Sequence, residues 1–282
     1  MMSGVPQNVG VIGGGRMGAG IAHAFLMAGA RVHVVEQDAG AVAAASDRVR
    51  GLLQGSRERG MPVPDDTAFT LGTDAAAFAE CALVVEAVPE DPGLKAAALT
   101  RAEAAIGESA VLATNTSSLS IGELAAVLRR PGSFLGMHFF NPVPSSKLVE
   151  VVLGAQTDAS ARELATGWIE ALGKTPIVVH DAPGFASSRL GVALGLEAIR
   201  MVEEGVASAP DIDLAMQLGY GHPMGPLRTT DIVGLDVRLA IAEELHARLG
   251  DRFAAPDLLR RMVAEGRLGR KSGQGFYEWS ER

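Results

Sequence analysis

Apolar residues are arranged in two textures along this chain. Up to residue 180, short apolar runs alternate with longer amphipathic stretches. The runs at 8–12, 31–36, 82–88, 110–114, 133–139, 148–153 and 175–180 predict strands. Helical spacing predicts helices over 17–28, 39–60, 94–106, 120–129 and 160–172. This alternation predicts an α/β fold, a mostly parallel sheet with helices on both faces. After residue 180 the texture changes. His180-Asp181-Ala182-Pro183-Gly184 has the composition of a joint, and no convincing strand follows. Helices are predicted over 185–205, 211–218, 231–249 and 257–265, separated by turns such as Gly221-His222-Pro223-Met224-Gly225-Pro226. Two domains are expected, an α/β domain over 1–180 and an all-helical one over 181–282, which suits a chain of 282 residues.

Composition narrows the function. The chain is 48% hydrophobic and 21% charged, with a net charge of −8. No basic surplus points to nucleic acid. The single cysteine, Cys81, rules out an internal disulfide framework and a cysteine metal cluster. It opens the apolar run at 81–85 and is expected to be a buried strand thiol. No run approaches the ~18–20 apolar residues of a membrane span. With no signal-peptide pattern at its start, the chain is expected in the cytoplasm.

Gly13-Gly14-Gly15-Arg16-Met17-Gly18 fits G-x-G-x-x-G between a predicted strand and a predicted helix. In that context Gly13 permits a tight turn, Gly15 lets the backbone approach a pyrophosphate, and Gly18 allows helix to pack closely on strand. Glu36 closes the second strand about twenty residues on, where a carboxylate accepts ribose hydroxyls and repels a 2′-phosphate. NAD is therefore the expected cofactor, rather than NADP.

A second constellation lies further along. Asn115-Thr116-Ser117-Ser118 follows a predicted strand, at the edge where open α/β sheets bind ligands. On composition alone it is equally a polar turn or helix cap. His138 and Glu150 lie twelve residues apart across a strand-turn-strand pattern, which suits a base oriented by an acid.

These segments resemble the L-3-hydroxyacyl-CoA dehydrogenase family, notably its bacterial 3-hydroxybutyryl-CoA members, over nearly the whole chain. The resemblance rests on residues 11–22, on Asn115-Thr116-Ser117-Ser118-Leu119, on His138-Phe139-Phe140-Asn141-Pro142-Val143-Pro144 and on 147–152. In the second domain it rests on Pro183-Gly184-Phe185, His222-Pro223-Met224-Gly225-Pro226 and 269–277. It implies a Rossmann-type NAD-binding domain followed by a helical substrate and dimerisation domain. It implies that His138 is the catalytic base, that Glu150 holds it, that Ser117 bonds the substrate oxygen and that Asn141 supports the pocket. Met17, Glu90, Lys95 and Asn115 fall beside the cofactor. The reaction implied is NAD-dependent oxidation of short-chain L-3-hydroxyacyl-CoA to 3-oxoacyl-CoA, in fatty acid metabolism or a related pathway, by a homodimer.

In one place the chain departs from the family pattern. The family has Pro-Gly-Phe-x-x-Asn-Arg, and this chain has Ser188 in place of the asparagine. Serine is shorter but still donates and accepts a hydrogen bond, so the substrate contact is altered more than the chemistry. Arg48, Arg50, Arg57 and Arg59 are candidates for the CoA phosphates, and equally for a solvated helix face. Two other readings stay open. One is a dehydrogenase of a free hydroxy acid or carrier-bound acyl group. The other is a non-enzymatic nucleotide-binding protein.

Overall fold

Alternating strands and helices fill the first part of the chain. The computed structural model describes residues 4–279. β1 (Asn8–Ile12), β2 (Arg31–Val35), β3 (Phe69–Gly72), β4 (Leu83–Glu86), β5 (Val111–Thr114) and β6 (Phe134–Phe139) pair in parallel. β7 (Leu148–Leu153) runs antiparallel to β6, and β8 (Thr175–His180) runs parallel to β7. The sheet order is β3-β2-β1-β4-β5-β6-β7-β8. The order reverses between β1 and β4, so the crevice above their carboxyl ends is a switch point for ligand binding.

The helices of this unit are α1 (Arg16–Met27), α2 (Ala39–Glu58), α3 (Pro92–Ala105), α4 (Ile121–Ala125) and α5 (Ala159–Ala171). Local chemistry sets their starts. Asp38 caps α2 by accepting from Ala41 N at 2.8 Å, and Asp91 caps α3 by accepting from Leu94 N at 2.8 Å, with Pro92 at the first helical position. Val9, Val11, Val32, Val34, Leu83 and Val85 bury their side chains against Ile21, Phe25 and Leu26 of α1 or neighbouring elements of the core.

The chain separates into two compact units between Ala182 and Pro183. The second is built from α6 (Ser187–Glu203), α7 (Ala209–Tyr220), α8 (Pro226–Val233), α9 (Leu235–Leu249) and α10 (Asp257–Ala264). Val192, Leu196, Ile199, Leu227, Leu235, Leu245 and Leu259 form its core. Two buried acids fasten the chain end to it. Asp213 accepts from Leu227 N, Arg228 N and the Tyr277 hydroxyl at 2.7–2.9 Å. Asp231 accepts from Phe276 N, Tyr277 N and Trp279 Nε1 at 2.8–2.9 Å. Burial and the neighbouring Asp213 push the Tyr277 hydroxyl above its ordinary pKa, so it stays a donor.

Several elements differ from the sequence expectation. β3 was not expected: it is a four-residue edge strand with only partial burial, too short for a clear alternation. The single helix expected over 231–249 is two helices, because Gly234 adopts φ +104 and ends α8 before α9 begins. The helix expected over 120–129 shrinks to α4. Cys81 is buried but lies just before β4, and burial pushes its thiol up to about 12. Among the described residues, no helix is long and apolar enough to cross a membrane.

Candidate active site

The glycine loop joins β1 to α1. Gly13 holds φ +91 and donates from N to Val35 O at 2.9 Å, so a side chain there would be strained. A Cβ at Gly18 would fall 1.8 Å from Gly13 O, so helix and loop approach this closely only with glycine. α1 starts after Gly15 with no side-chain cap, which leaves its first amides for an anion. Gly13, Gly15, Met17 and Glu36 line a cavity of about 630 Å³ with Ala87 and Val88. Glu36 Oε1 accepts from Gly14 N at 2.6 Å. No described residue bonds its second oxygen, which is available for ribose hydroxyls. Loop, helix end and acid together fit a dinucleotide.

A buried charge network stands beside this cavity. Lys95 is 1% exposed and donates to both oxygens of Glu86 at 2.8 and 3.1 Å and to Val88 O at 3.2 Å. Glu86 is fully buried and also accepts from Thr114 Oγ1 at 2.5 Å and Val88 N at 2.7 Å. Glu90 Oε2 lies 3.3 Å from the same ammonium. Its Oε1 accepts from Thr116 Oγ1 at 2.6 Å, Ser117 N at 2.8 Å and Ser118 N at 3.0 Å. Burial opposes ionisation of Glu90, but Lys95 and these donors outweigh it and hold the carboxyl below its ordinary value. Lys95 thus ties the turn after β4 to the turn after β5, and Glu90 fixes the backbone of Ser117. Lys95 and Glu90 do not line the cavity themselves. Glu86 was missed from sequence, although a lone charge ending an apolar strand was the signal.

The third part lies on β6 and β7. Antiparallel register sets His138 directly opposite Glu150. Their side chains meet, with Nδ1 and Glu150 Oε2 2.7 Å apart. The other ring nitrogen, Nε2, lies 3.1 Å from Ser117 Oγ. The Phe140 ring packs 4.5 Å from the imidazole. Glu150 is fully buried and His138 is 5% exposed, so the pair works in a low dielectric. A carboxylate accepting from Nδ1–H leaves Nε2 as the acceptor. Ser117 Oγ–H then donates to Nε2, and the three side chains form a line able to remove a proton from an alcohol.

Two sequence matches decide the family. Residues 8–182 match the model "3-hydroxyacyl-CoA dehydrogenase, NAD binding domain", and residues 184–279 match "3-hydroxyacyl-CoA dehydrogenase, C-terminal domain". The chain belongs to the 3-hydroxyacyl-CoA dehydrogenase family. A probable 3-hydroxybutyryl-CoA dehydrogenase of Deinococcus radiodurans is 44% identical to this dehydrogenase, covering 96% of the chain and 99% of the relative. The 3-hydroxybutyryl-CoA dehydrogenase of Mycobacterium tuberculosis is 39% identical over 99% of the chain and its own full length. The crystal structure of (S)-3-hydroxybutyryl-CoA dehydrogenase from Ralstonia eutropha matches with a TM-score of 0.92 at 37% identity, over 98% of this chain and all of that one.

The remaining sequence candidates sit as follows in the dehydrogenase. Asn115 is 8% exposed and its Oδ1 accepts from Phe139 N at 2.9 Å, so it bridges β5 to β6. Asn141 is exposed just past β6, and its side chain bonds no described residue. Ser188 is half-buried on the first turn of α6, in the helical unit. The four candidate arginines, three on α2 and Arg59 just after it, do not form one patch. Arg48 and Arg59 lie about three turns apart on one face, and Arg50 and Arg57 lie on the opposite one. Arg48 Nη1 donates to Gly14 O at 3.3 Å, Arg57 to Gln54 and Arg59 to Ser56. One cation does support the turn after His138. Lys174 donates from Nζ to Val143 O at 2.7 Å and Ser146 O at 2.5 Å, and burial lowers its pKa.

Proposed function

We propose that this dehydrogenase oxidises short-chain L-3-hydroxyacyl-CoA to 3-oxoacyl-CoA, reversibly and with NAD. The observation that carries this reading is the line Ser117 Oγ, His138 Nε2, His138 Nδ1, Glu150 Oε2, with steps of 3.1 and 2.7 Å. His138 Nε2 takes the proton of the 3-hydroxyl. Glu150 stabilises the imidazolium that results, as a buried acid does beside a catalytic histidine. Ser117 Oγ–H turns from Nε2 to the substrate oxygen, and Glu90 holds its backbone in place. When bound, NAD supplies the hydride acceptor. Gly13, Gly15, Gly18, Met17 and the α1 amides would hold its pyrophosphate side and Glu36 its ribose, with Asn115 able to offer its amide nitrogen nearby. Lys95 and Glu90 act on this arrangement by shaping the loops.

Asn141 is assigned a supporting role beside His138, Ser188 a contact to substrate, and Arg48, Arg57 and Arg59 the CoA phosphates. Because α2 splits these arginines between two faces, they would serve as separate contacts. The helical unit is assigned the homodimer contact. Leu190 on α6 and Leu214, Leu218 and Tyr220 on α7 are 48–79% exposed there, large apolar side chains that a subunit contact would cover. A single cysteine suits a reducing compartment, so the cytoplasm is the assigned location.

The deciding experiment follows NADH consumption with acetoacetyl-CoA, beside free acetoacetate and beside NADPH. Turnover with acetoacetyl-CoA and NADH alone is the expected result. Turnover of free acetoacetate in preference to the thioester would overturn the CoA assignment. Sedimentation at micromolar concentration is expected to give a dimer mass.

A further inference from the structure

Helix α3 is used on two faces. Lys95, Leu99, Ala102 and Glu103, at i, i+4, i+7 and i+8, are buried and form its inner face. Leu94, Ala97, Ala98 and Arg101, at i, i+3, i+4 and i+7, form a second face. All four line the cavity that also holds Gly13 and Glu36. Leu94 is 53% exposed, Ala97 and Arg101 are exposed, and Ala98 is half-buried. The outer side of a surface helix is ordinarily polar. Here its first three positions are apolar and line a cavity, which is the character of a ligand wall.

The shape of that wall is specific. The two alanines make a shallow floor, with Leu94 at one end and Arg101 at the other. From residue 94 to residue 101 is about 10 Å along the helix axis, room for one fused aromatic ring between the two long side chains. Gln37 and Ala41, after β2, line the same cavity from outside α3. Arg101 is also tethered. Its Nη2 donates to Thr73 O, just past β3. Such a bond runs in the guanidinium plane, which leaves the flat faces for stacking.

Continuity names the occupant. In this one cavity the glycine loop suits the diphosphate and Glu36 the adenosine ribose, and the group beyond that ribose is adenine. We propose that Arg101 stacks its guanidinium on the adenine of NAD above the Ala97–Ala98 floor, and is the residue by which this dehydrogenase selects a purine on its cofactor. A guanidinium is attracted to the face of an aromatic ring. Recognition through a face responds to the size of the ring and tolerates changes at its edge. The glycine loop and Glu36 bind groups common to every dinucleotide of this type, so they do not read the base. α3 then serves the site twice, through Lys95 inside and Arg101 outside. This inference rests on the glycine loop and Glu36 holding the rest of the cofactor.

The test is a binding titration of the full chain, read by the fluorescence of the reduced nicotinamide. Dissociation constants are measured for NADH and for its analogues carrying hypoxanthine or cytosine in place of adenine. The proteins are the wild type, Arg101→Leu, Arg101→Lys and Ala97→Leu, all changed at exposed positions where the fold should survive. In the wild type NADH and the hypoxanthine analogue are expected to bind alike, and about fivefold or more tighter than the cytosine analogue. This purine preference is expected to fall towards one in Arg101→Leu, and in Ala97→Leu, which fills the floor. Arg101→Lys should behave as Arg101→Leu does, since an ammonium keeps the charge and loses the plane. Full NADH affinity in Arg101→Lys, with loss in Arg101→Leu, overturns the stacking and makes Arg101 a charge for the diphosphate. Equal weakening of all three dinucleotides overturns it as well, as a structural effect. So does a wild-type preference near one, or one that survives both Arg101 substitutions. A hypoxanthine analogue that binds as weakly as the cytosine one assigns recognition to the ring edge and also overturns it. Failure of the wild type to bind NADH would overturn the placement of the whole cofactor.

Discussion

Lys95 and Arg238 are both buried cations, one in each unit, and their surroundings differ. Lys95 is surrounded by Glu86, Glu90 and Val88 O. Arg238 has two small glycines and a partnerless threonine hydroxyl. The first charge joins two loops and is satisfied within the chain. The second is held at a cost the fold does not recover by itself. Two equally buried cations can therefore differ in how the fold answers them. The difference is the presence or absence of an internal counterion among the described residues.

The His138–Glu150 pair gives this comparison its largest test, because it is an answered charge on reacting atoms. Glu150→Gln keeps the shape and removes the charge that stabilises the imidazolium. By analogy with an acid beside a catalytic histidine, kcat is expected to fall about 10³–10⁴-fold. The melting temperature should move little, since glutamine can still bond Nδ1. A large drop in stability with kcat nearly intact would make the pair a structural one, like Lys95 and Glu86.

Lys95→Met should show the opposite profile. It strands Glu86 in the core without its counterion, and breaking such a pair costs about 3–5 kcal/mol. Urea unfolding of the single variant, and of Lys95→Met with Glu86→Gln, checks this. The double variant should recover much of the loss. A loss of under about 1 kcal/mol in the single variant would mean that the network contributes as little as a surface pair.

Arg238→Met should again differ. With no internal counterion to strand, replacing the guanidinium with an apolar chain should leave ligand-free stability unchanged or raise it by about 1–2 kcal/mol. A loss of about 3 kcal/mol or more in the same urea series would reveal an internal acceptor and erase the contrast with Lys95.

Which of these features sequence could show follows from their range. The glycine loop, its strand and helix, and Glu36 are local, so their spacing was readable. His138 and Glu150 were readable because an antiparallel pair of strands converts sequence separation into register. β3 was not, since a four-residue edge strand carries too little pattern. The break at Gly234 lies inside an apolar period that continues through it. The α2 arginines were visible as charge, but their division between two faces needs the helix phase. Glu86 and Arg238 depend on what packs against them from segments far away in sequence. Arg238 in particular stands within Val237-Arg238-Leu239, and nothing local marks it as buried.

His23 offers the smallest and most discriminating test, because it represents a third way to bury a base. It is 4% exposed on α1, with Nε2 2.8 Å from Ser56 Oγ and Nδ1 buried without a partner. Burial lowers its pKa, and the nearby charges of Arg59 and Lys174 lower it further. Unlike Lys95, which is answered, and Arg238, which is not, it avoids the cost by staying neutral. The sign of its pH effect follows. Below its ordinary pKa of 6.5 the unfolded chain binds a proton that the folded chain refuses, so stability falls with pH until the lowered folded pKa is reached. The contribution is complete above 6.5 and is lost below it. His23→Asn removes this titration, so the wild type should lose more stability than the variant between pH 7 and pH 5, whatever their difference at pH 7. Parallel stability curves over that range would show His23 charging freely in the fold. The unpartnered Nδ1 would then need an acceptor of its own, which would put His23 in the same class as Arg238.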